Sequence, residues 1–145
     1  MGHTDPTREQ ARAIARLRAD QAGVVSRAQL ADAGLSPHDV RRLLRNRELA
    51  PLHPGVYVDH TGDPTWLQRA WGAVLACGPA ALAGESALRA VQGPGGRRFD
   101  ESVITVAVEQ GRNLTPLAGV TIVRQRHLDE RAAAFFALGQ ARATG

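Results

Sequence analysis

Between Val40 and Arg47 the chain places four arginines and no acid: Arg41, Arg42, Arg45 and Arg47. His38 lies just upstream. At about 100° per residue in a helix, His38, Arg41, Arg42 and Arg45 project within one arc, and Val40, Leu43 and Leu44 fall opposite. A guanidinium can bridge two phosphate oxygens or the O6 and N7 of guanine, so such a face could read DNA. An isolated basic helix is more often a solvated surface. What surrounds this one decides between the two.

Two helix starts are written in the same way. Ser26 is an N-cap with Gln29 three residues on, and Val25 and Leu30 are spaced as a hydrophobic staple. Ser36 repeats the arrangement with Pro37 at the first helical position, Asp39 in place of Gln, and Leu35 and Val40 as the staple. Gly34 ends the first of these helices, so the connection is tight. The second runs from about Pro37 to Asn46. Leu49 and Leu52 then lead into His53-Pro54-Gly55, with Pro and Gly at the inner positions of a type II turn. Val56-Tyr57-Val58 follows as a half-buried strand. Short helix, tight turn, basic helix and hairpin form a winged helix-turn-helix, a DNA-binding unit. The candidate DNA contacts are Arg27, His38, Arg41, Arg42, Arg45, Arg47, His53 and the backbone at Gly55.

Upstream, Thr7 to Gln21 predicts a scaffold helix with a weak stripe of Ala11, Ile14, Ala15 and Leu17. Downstream, Thr61-Gly62-Asp63-Pro64 reads as a boundary, with Asp63 free to cap the next helix. The expected division is 1–61 for the winged helix and 62–145 for a small α/β domain. Thr65 to Cys77 predicts a mostly buried helix with two apolar flanks. Trp66, Ala70, Val74 and Cys77 form one, and Leu67, Trp71 and Leu75 the other. A second helix is expected over Ala81 to Gln92, before the loop Gly93-Pro94-Gly95-Gly96. Ser102 to Glu109 reads as a strand buried on both faces, and Val120 to Arg124 as another. The tail after Arg131 leaves Phe135 and Phe136 with no evident packing partner, a setting that favours self-association. The fold class is α+β, a winged helix-turn-helix followed by a small, incomplete α/β domain.

Composition bounds the function further. The chain has 145 residues and 43% hydrophobic content, enough for a buried core. All 18 basic residues are arginine. Nine arginines face seven acids in residues 1–60, and the same holds for 61–145. The net charge is therefore not that of a basic half joined to an acidic half, and the useful asymmetry is the local one at the basic helix. Lone Cys77 excludes an internal disulfide and fits a reducing cytosol. No apolar run approaches a membrane span and the start lacks a signal peptide's apolar core, so a cytoplasmic protein with no membrane partner is expected.

Catalytic patterns are missing. His3, His38, His53, His60 and His127 have no metal-ligand spacing. Ser26 and Ser36 are accounted for as caps, and Ser86 has no evident His–Asp partner. Asp100, Glu101 and Glu109 could be imagined as Mg²⁺ ligands of a nuclease, but no lysine accompanies them to stabilise an attacked phosphate. No enzyme, cofactor or metal site is expected.

GVVSRAQL, the Ser-capped arginine helix, LHPGVYV and WGAVLACGPAALAGESAL together resemble the AbiEi-type antitoxins of type IV toxin–antitoxin systems. The resemblance covers about residues 10 to 130. The Pro-Gly-Val-Tyr of the wing and Ser86-Ala87 are its most specific pieces. It implies an autorepressing DNA-binding domain followed by a domain that neutralises a nucleotidyltransferase-like toxin. Arg41, Arg42 and Arg45 match the family's basic recognition helix, and His53 to Tyr57 its wing. Many relatives continue into a domain similar to very-short-patch-repair endonucleases, and this chain stops earlier, as a shortened relative. The expected partners are double-stranded operator DNA and such a toxin. Two other readings stand beside this one: an interaction module that does not bind DNA, and a remnant of the endonuclease-like protein.

Overall fold

The computed structural model describes residues 6–95 and 98–126. The tail carrying Phe135 and Phe136, with His3 and His127, lies outside the described residues. Helix α1 spans Pro6–Asp20, strand β1 Val24–Ser26, α2 Arg27–Asp32 and α3 Pro37–Arg45. The wing strands β2 (Ala50–His53) and β3 (Val56–Val58) follow. β3 lies centrally, antiparallel to both neighbours, in the order β1-β3-β2. The chain is α+β, with a winged helix-turn-helix at its N-terminal end.

Both capping boxes close. The Gln29 N–H donates to Ser26 Oγ at 3.1 Å, and Gln29 Oε1 accepts from the Ser26 N–H at 3.0 Å. At the second start the Asp39 N–H donates to Ser36 Oγ at 3.1 Å, and Asp39 Oδ2 accepts from the Ser36 N–H at 2.8 Å. The ends are equally defined. Gly34, at φ +101°, and Leu35 donate to the carbonyls of Ala31 and Leu30, the paired bonds of a Schellman motif. A left-handed residue is needed there, and glycine adopts it without steric cost. The staple residues Val25, Leu30, Leu35 and Val40 meet in one core with Leu49 and Tyr57.

The wing strand departs from expectation. Val56, Tyr57 and Val58 do not alternate between core and solvent; all three are at most 3% exposed. Helix α4 (Trp66–Cys77) is the reason. Tyr57 and Val25 face α1–α3, while Val24, Val56 and Val58 pack against Trp71 on the other side of the sheet. The two flanks legible in the sequence of α4 serve two cores. Leu67, Trp71 and Leu75 cover the wing sheet, and Trp66, Ala70, Val74 and Cys77 enter the core behind it. Helix and wing lie close at Gly72, where an added Cβ would run into the Leu52 side chain.

The cap of α4 is Thr65, not Asp63: Thr65 Oγ1 accepts from the Gln68 N–H at 3.1 Å, and Gln68 Oε1 accepts from the Thr65 N–H at 3.0 Å. Thr65-x-x-Gln68 is a third capping box that the nearer Asp-Pro obscured.

The second sheet has the order β4-β5-β6. The helix expected from Ala81 starts late: Ala80–Leu82 is strand β4, and α5 is Gly84–Gln92. Ala80, Ala81 and Leu82 are drawn into pairing with Val108, Ala107 and Val106 of β5 (Ile104–Glu109), which overrides alanine's helical preference. Strand β6 (Val120–Gln125) pairs with β5 in parallel. A parallel return usually runs through a helix, but here residues 110–119 make it alone. The return needs roughly 20 Å, and ten residues can span about 33 Å. Leu114 and Leu117 pin this loop to the core. Arg112 anchors it to the end of α4, donating to the carbonyls of Cys77 (2.7 Å), Gly78 (2.9 Å) and Pro79 (3.0 Å). Buried Ser86 ties α5 to β5, its Oγ accepting from the Thr105 N–H at 2.9 Å.

Candidate nucleic-acid interface

On α3 the two faces separate as the spacing requires. Val40 is buried, Leu43 and Leu44 are half-buried, and His38, Arg41, Arg42 and Arg45 are exposed together. Among the described residues, Arg41 and Arg45 have no hydrogen-bond or ion-pair partner. Arg42 lies 3.7 Å from Asp39 one turn earlier. Such an exposed pair is weak, so Arg42 can leave it at little cost. Asp39 itself is held below the usual carboxylate range by its bonds to Ser36, with the Arg42 charge adding to them. It keeps its charge at the positive end of the helix, where a carboxylate is stabilising.

Arg47 sits at the other end. Its N–H donates to Leu44 and that of Glu48 to Leu43, a second Schellman closure, and Arg47 takes φ +60° to make it. This position favours glycine, because a Cβ there crowds the following carbonyl. An arginine in that backbone sends a cation off the end of the basic helix.

Arg27 is the first residue of α2. Its Nε and Nη2 donate to the Tyr57 hydroxyl at 3.1 and 3.0 Å, and its N–H donates to the Gly55 carbonyl at 2.8 Å. Gly55 adopts φ +77° as the wing turn demands, and the space a Cβ would fill there is open. Arg27 and Arg41 line one cleft of about 360 Å³ between α2 and α3, with Leu35, Val40 and Tyr57 beside them. The fold therefore gathers Arg27, Arg41 and the wing turn near one another, with His38, Arg42 and Arg45 on the exposed side of α3.

His53 stands apart from this group. It is half-buried at the end of β2, close to Gly72 of α4, and burial pushes its imidazole below the usual range. The cleft it lines contains no residue of α2 or α3. Arg69 lines that same cleft and was missed from sequence. One signal marks it: it is the only charged residue in the twelve of α4.

The other singled-out side chains have local partners. Glu101 accepts from Arg89 Nε at 2.6 Å, and Arg89 lies over the Trp66 ring, 4.7 Å from its centroid. Asp100 accepts from the Ser102 N–H, and its carboxyl is held low by that residue. Cys77 is buried, and burial pushes its thiol up despite the Arg112 charge. Among the described residues no three His, Cys, Asp or Glu side chains group as a metal site. No helix there is long and apolar enough to cross a membrane.

A helix-turn-helix with a two-stranded wing and an exposed arginine face belongs to the class of DNA-binding modules. Residues 12–58, from within α1 to the end of the wing, match the family described as "Transcriptional regulator, AbiEi antitoxin". The N-terminal region thus matches the family its sequence resembles, a family of regulators and not a class of enzymes. No curated protein matches the chain. Among solved structures it is similar to the crystal structure of the RV2827C protein from Mycobacterium tuberculosis, at 24% identity and a TM-score of 0.42. That alignment covers 91% of this chain and 48% of the other, so the chain spans about half the length of the protein it matches.

Proposed function

We propose that this chain is a sequence-specific DNA-binding transcriptional regulator that reads its operator with α3 and acts as the autorepressing antitoxin of a type IV toxin–antitoxin system. The observation that carries the DNA-binding part is the exposed face of α3: Arg41 and Arg45 are without partners among the described residues, and Arg42 is held only weakly. Arg41 and Arg45 are one turn apart, about 6 Å along the axis, which matches roughly two base-pair steps. Helix α3 enters the major groove, its arginines meet guanine edges and phosphates, and Arg47 and Arg27 flank it at the backbone. The match of residues 12–58 to an antitoxin regulator family supports a regulator with a toxin partner in general terms, and autorepression and a nucleotidyltransferase-like toxin are what the sequence resemblance adds to it.

The test is a salt titration of binding to the chain's own promoter, with thermal melts as the folding control. Replacing an arginine at a guanine contact by Ala costs about 1–3 kcal/mol and relaxes preference at that base. At a phosphate contact it weakens all sequences alike and lowers the salt slope by roughly one unit. A folded R41A/R42A/R45A variant that binds as tightly as wild type would remove α3 as the reader and favour the interaction-module reading.

A further inference from the structure

Three of the described arginines are half-buried: Arg69, Arg89 and Arg112. Two have partners. Arg89 is paired with Glu101 and stacked on Trp66, and Arg112 is bonded to three carbonyls at the end of α4. Arg69 has no side-chain partner among the described residues. The half-buried histidines divide in the same way. His60 Nε2 lies 2.8 Å from Gln68 Oε1, whereas His53 has no partner among the described residues. The two unpartnered groups line one cleft of about 330 Å³, near the lower end of the size of small-ligand sites. Leu52 and His53 of the wing form one wall, Arg69 of α4 lies beside them, and Ser102, Ile104 and Val120 of the second sheet face them. Among the described residues no acid lines this cleft. The carboxylates just before Ser102 are engaged elsewhere: Glu101 accepts from Arg89, and Asp100 from the Ser102 N–H.

A partly desolvated guanidinium beside an imidazole, with no internal anion to answer either, is a site that lacks its counter-charge. We propose that this cleft binds a phosphate-type oxyanion between Arg69 and His53, bridging the wing strand to the second sheet. The site is separate from the α3 face and does not depend on α3 reading DNA. The arginine supplies paired donors in a fixed fork, and the histidine adds a third donor and, once protonated, a second charge. Among the described residues that line the cleft with His53, Arg69 is the only charged one. Because burial holds the His53 imidazole low, a bound anion must raise it, and affinity rises as pH falls between the two values.

The experiment follows the His53 ring resonances of the full chain while sulfate is added at constant ionic strength, chloride serving as the control. Sulfate stays a dianion across the range, so any pH dependence belongs to the protein. The expected result is a saturable shift with His53 titrating at higher pH when bound. Affinity should strengthen by up to about tenfold per pH unit within that window. Arg69→Gln should weaken sulfate at least tenfold, and Arg69→Lys should restore part of the loss. His53→Gln, followed by calorimetry, should remove the pH dependence while leaving weaker binding. Duplex DNA of unrelated sequence is the second arm. If it shifts His53, and Arg69→Gln lowers its salt slope by about one unit, the oxyanion is a backbone phosphate. If free sulfate and inorganic phosphate saturate the site and Arg69→Gln leaves DNA binding unchanged, it is a free anion. No saturable shift from any of these anions, or equal shifts in wild type and a folded Arg69→Gln, would overturn the proposal.

Discussion

Arg27 and Tyr57, thirty residues apart, are joined by two hydrogen bonds from one guanidinium to one phenol oxygen. The bond fixes the start of α2 against the central wing strand and holds Arg27 at the mouth of the cleft it shares with Arg41. Tyr57→Phe keeps the buried ring and removes the acceptor. Stability should fall by about 0.5–1.5 kcal/mol in urea unfolding. Promoter affinity should fall roughly two- to tenfold as Arg27 regains rotamer freedom. No charge is lost, so the salt slope should not change; a changed slope would mean that the tyrosine acts in some other way.

Arg47 separates binding from stability in the opposite direction. Arg47→Gly relieves about 1–2 kcal/mol of left-handed backbone strain and adds roughly 0.5–1 kcal/mol of unfolded-chain entropy. The variant should therefore melt at or above the wild-type temperature. Its promoter binding should weaken, with a salt slope smaller by about one unit, if the side chain meets phosphate. A variant that melts lower would show that the arginine stem contributes packing that outweighs the strain.

The division near residue 61 is proposed from Thr61-Gly62-Asp63, which are exposed between the wing and α4. A protease should nick there first. The fragments should then stay together under native conditions, because Trp71 is buried against Val24, Val56 and Val58. Trp71→Ala should cost about 3–5 kcal/mol and let the nicked halves separate on gel filtration. Protection of residues 61–63 from cleavage in the wild-type chain would argue against a boundary at this place.

Two groups give the stability a defined pH response. His53 has its pKa lowered by burial, so the unfolded chain binds the extra proton first. In the absence of anions, stability should fall as pH drops from about 6.5 through the lowered value. His53→Gln should flatten that region. Asp39 is lowered by Ser36, so its contribution is present above the ordinary carboxylate range and is lost as pH falls through the folded value. Ser36→Ala should remove that acid-side loss along with the cap. Urea midpoints measured between pH 3 and 8 test both, and a curve that rises toward acid would refute the assignments.

Much of the winged helix was legible because its signals are local. Caps, staples, the Gly34 stop and the Pro-Gly turn each act within a few residues, so Ser26, Ser36 and Gly55 could be placed without knowing what packs on them. The arginine face of α3 followed from helical spacing alone, since Val40 is held in the core by the same geometry that turns Arg41 and Arg45 outward. What depends on distant partners was not legible. The wing strand is buried on both faces only because α4 covers one of them, and Ala80–Leu82 is a strand only because β5 offers backbone partners. Nothing in sequence spacing joins Arg27 to Tyr57, or brings His53 and Arg69 to one cleft. Sequence alone determined the local elements and the basic face, whose forces act within a turn or two of helix. Tertiary structure decided which surfaces are covered and which charges are left unanswered, because burial and pairing depend on residues that the chain brings together only when folded.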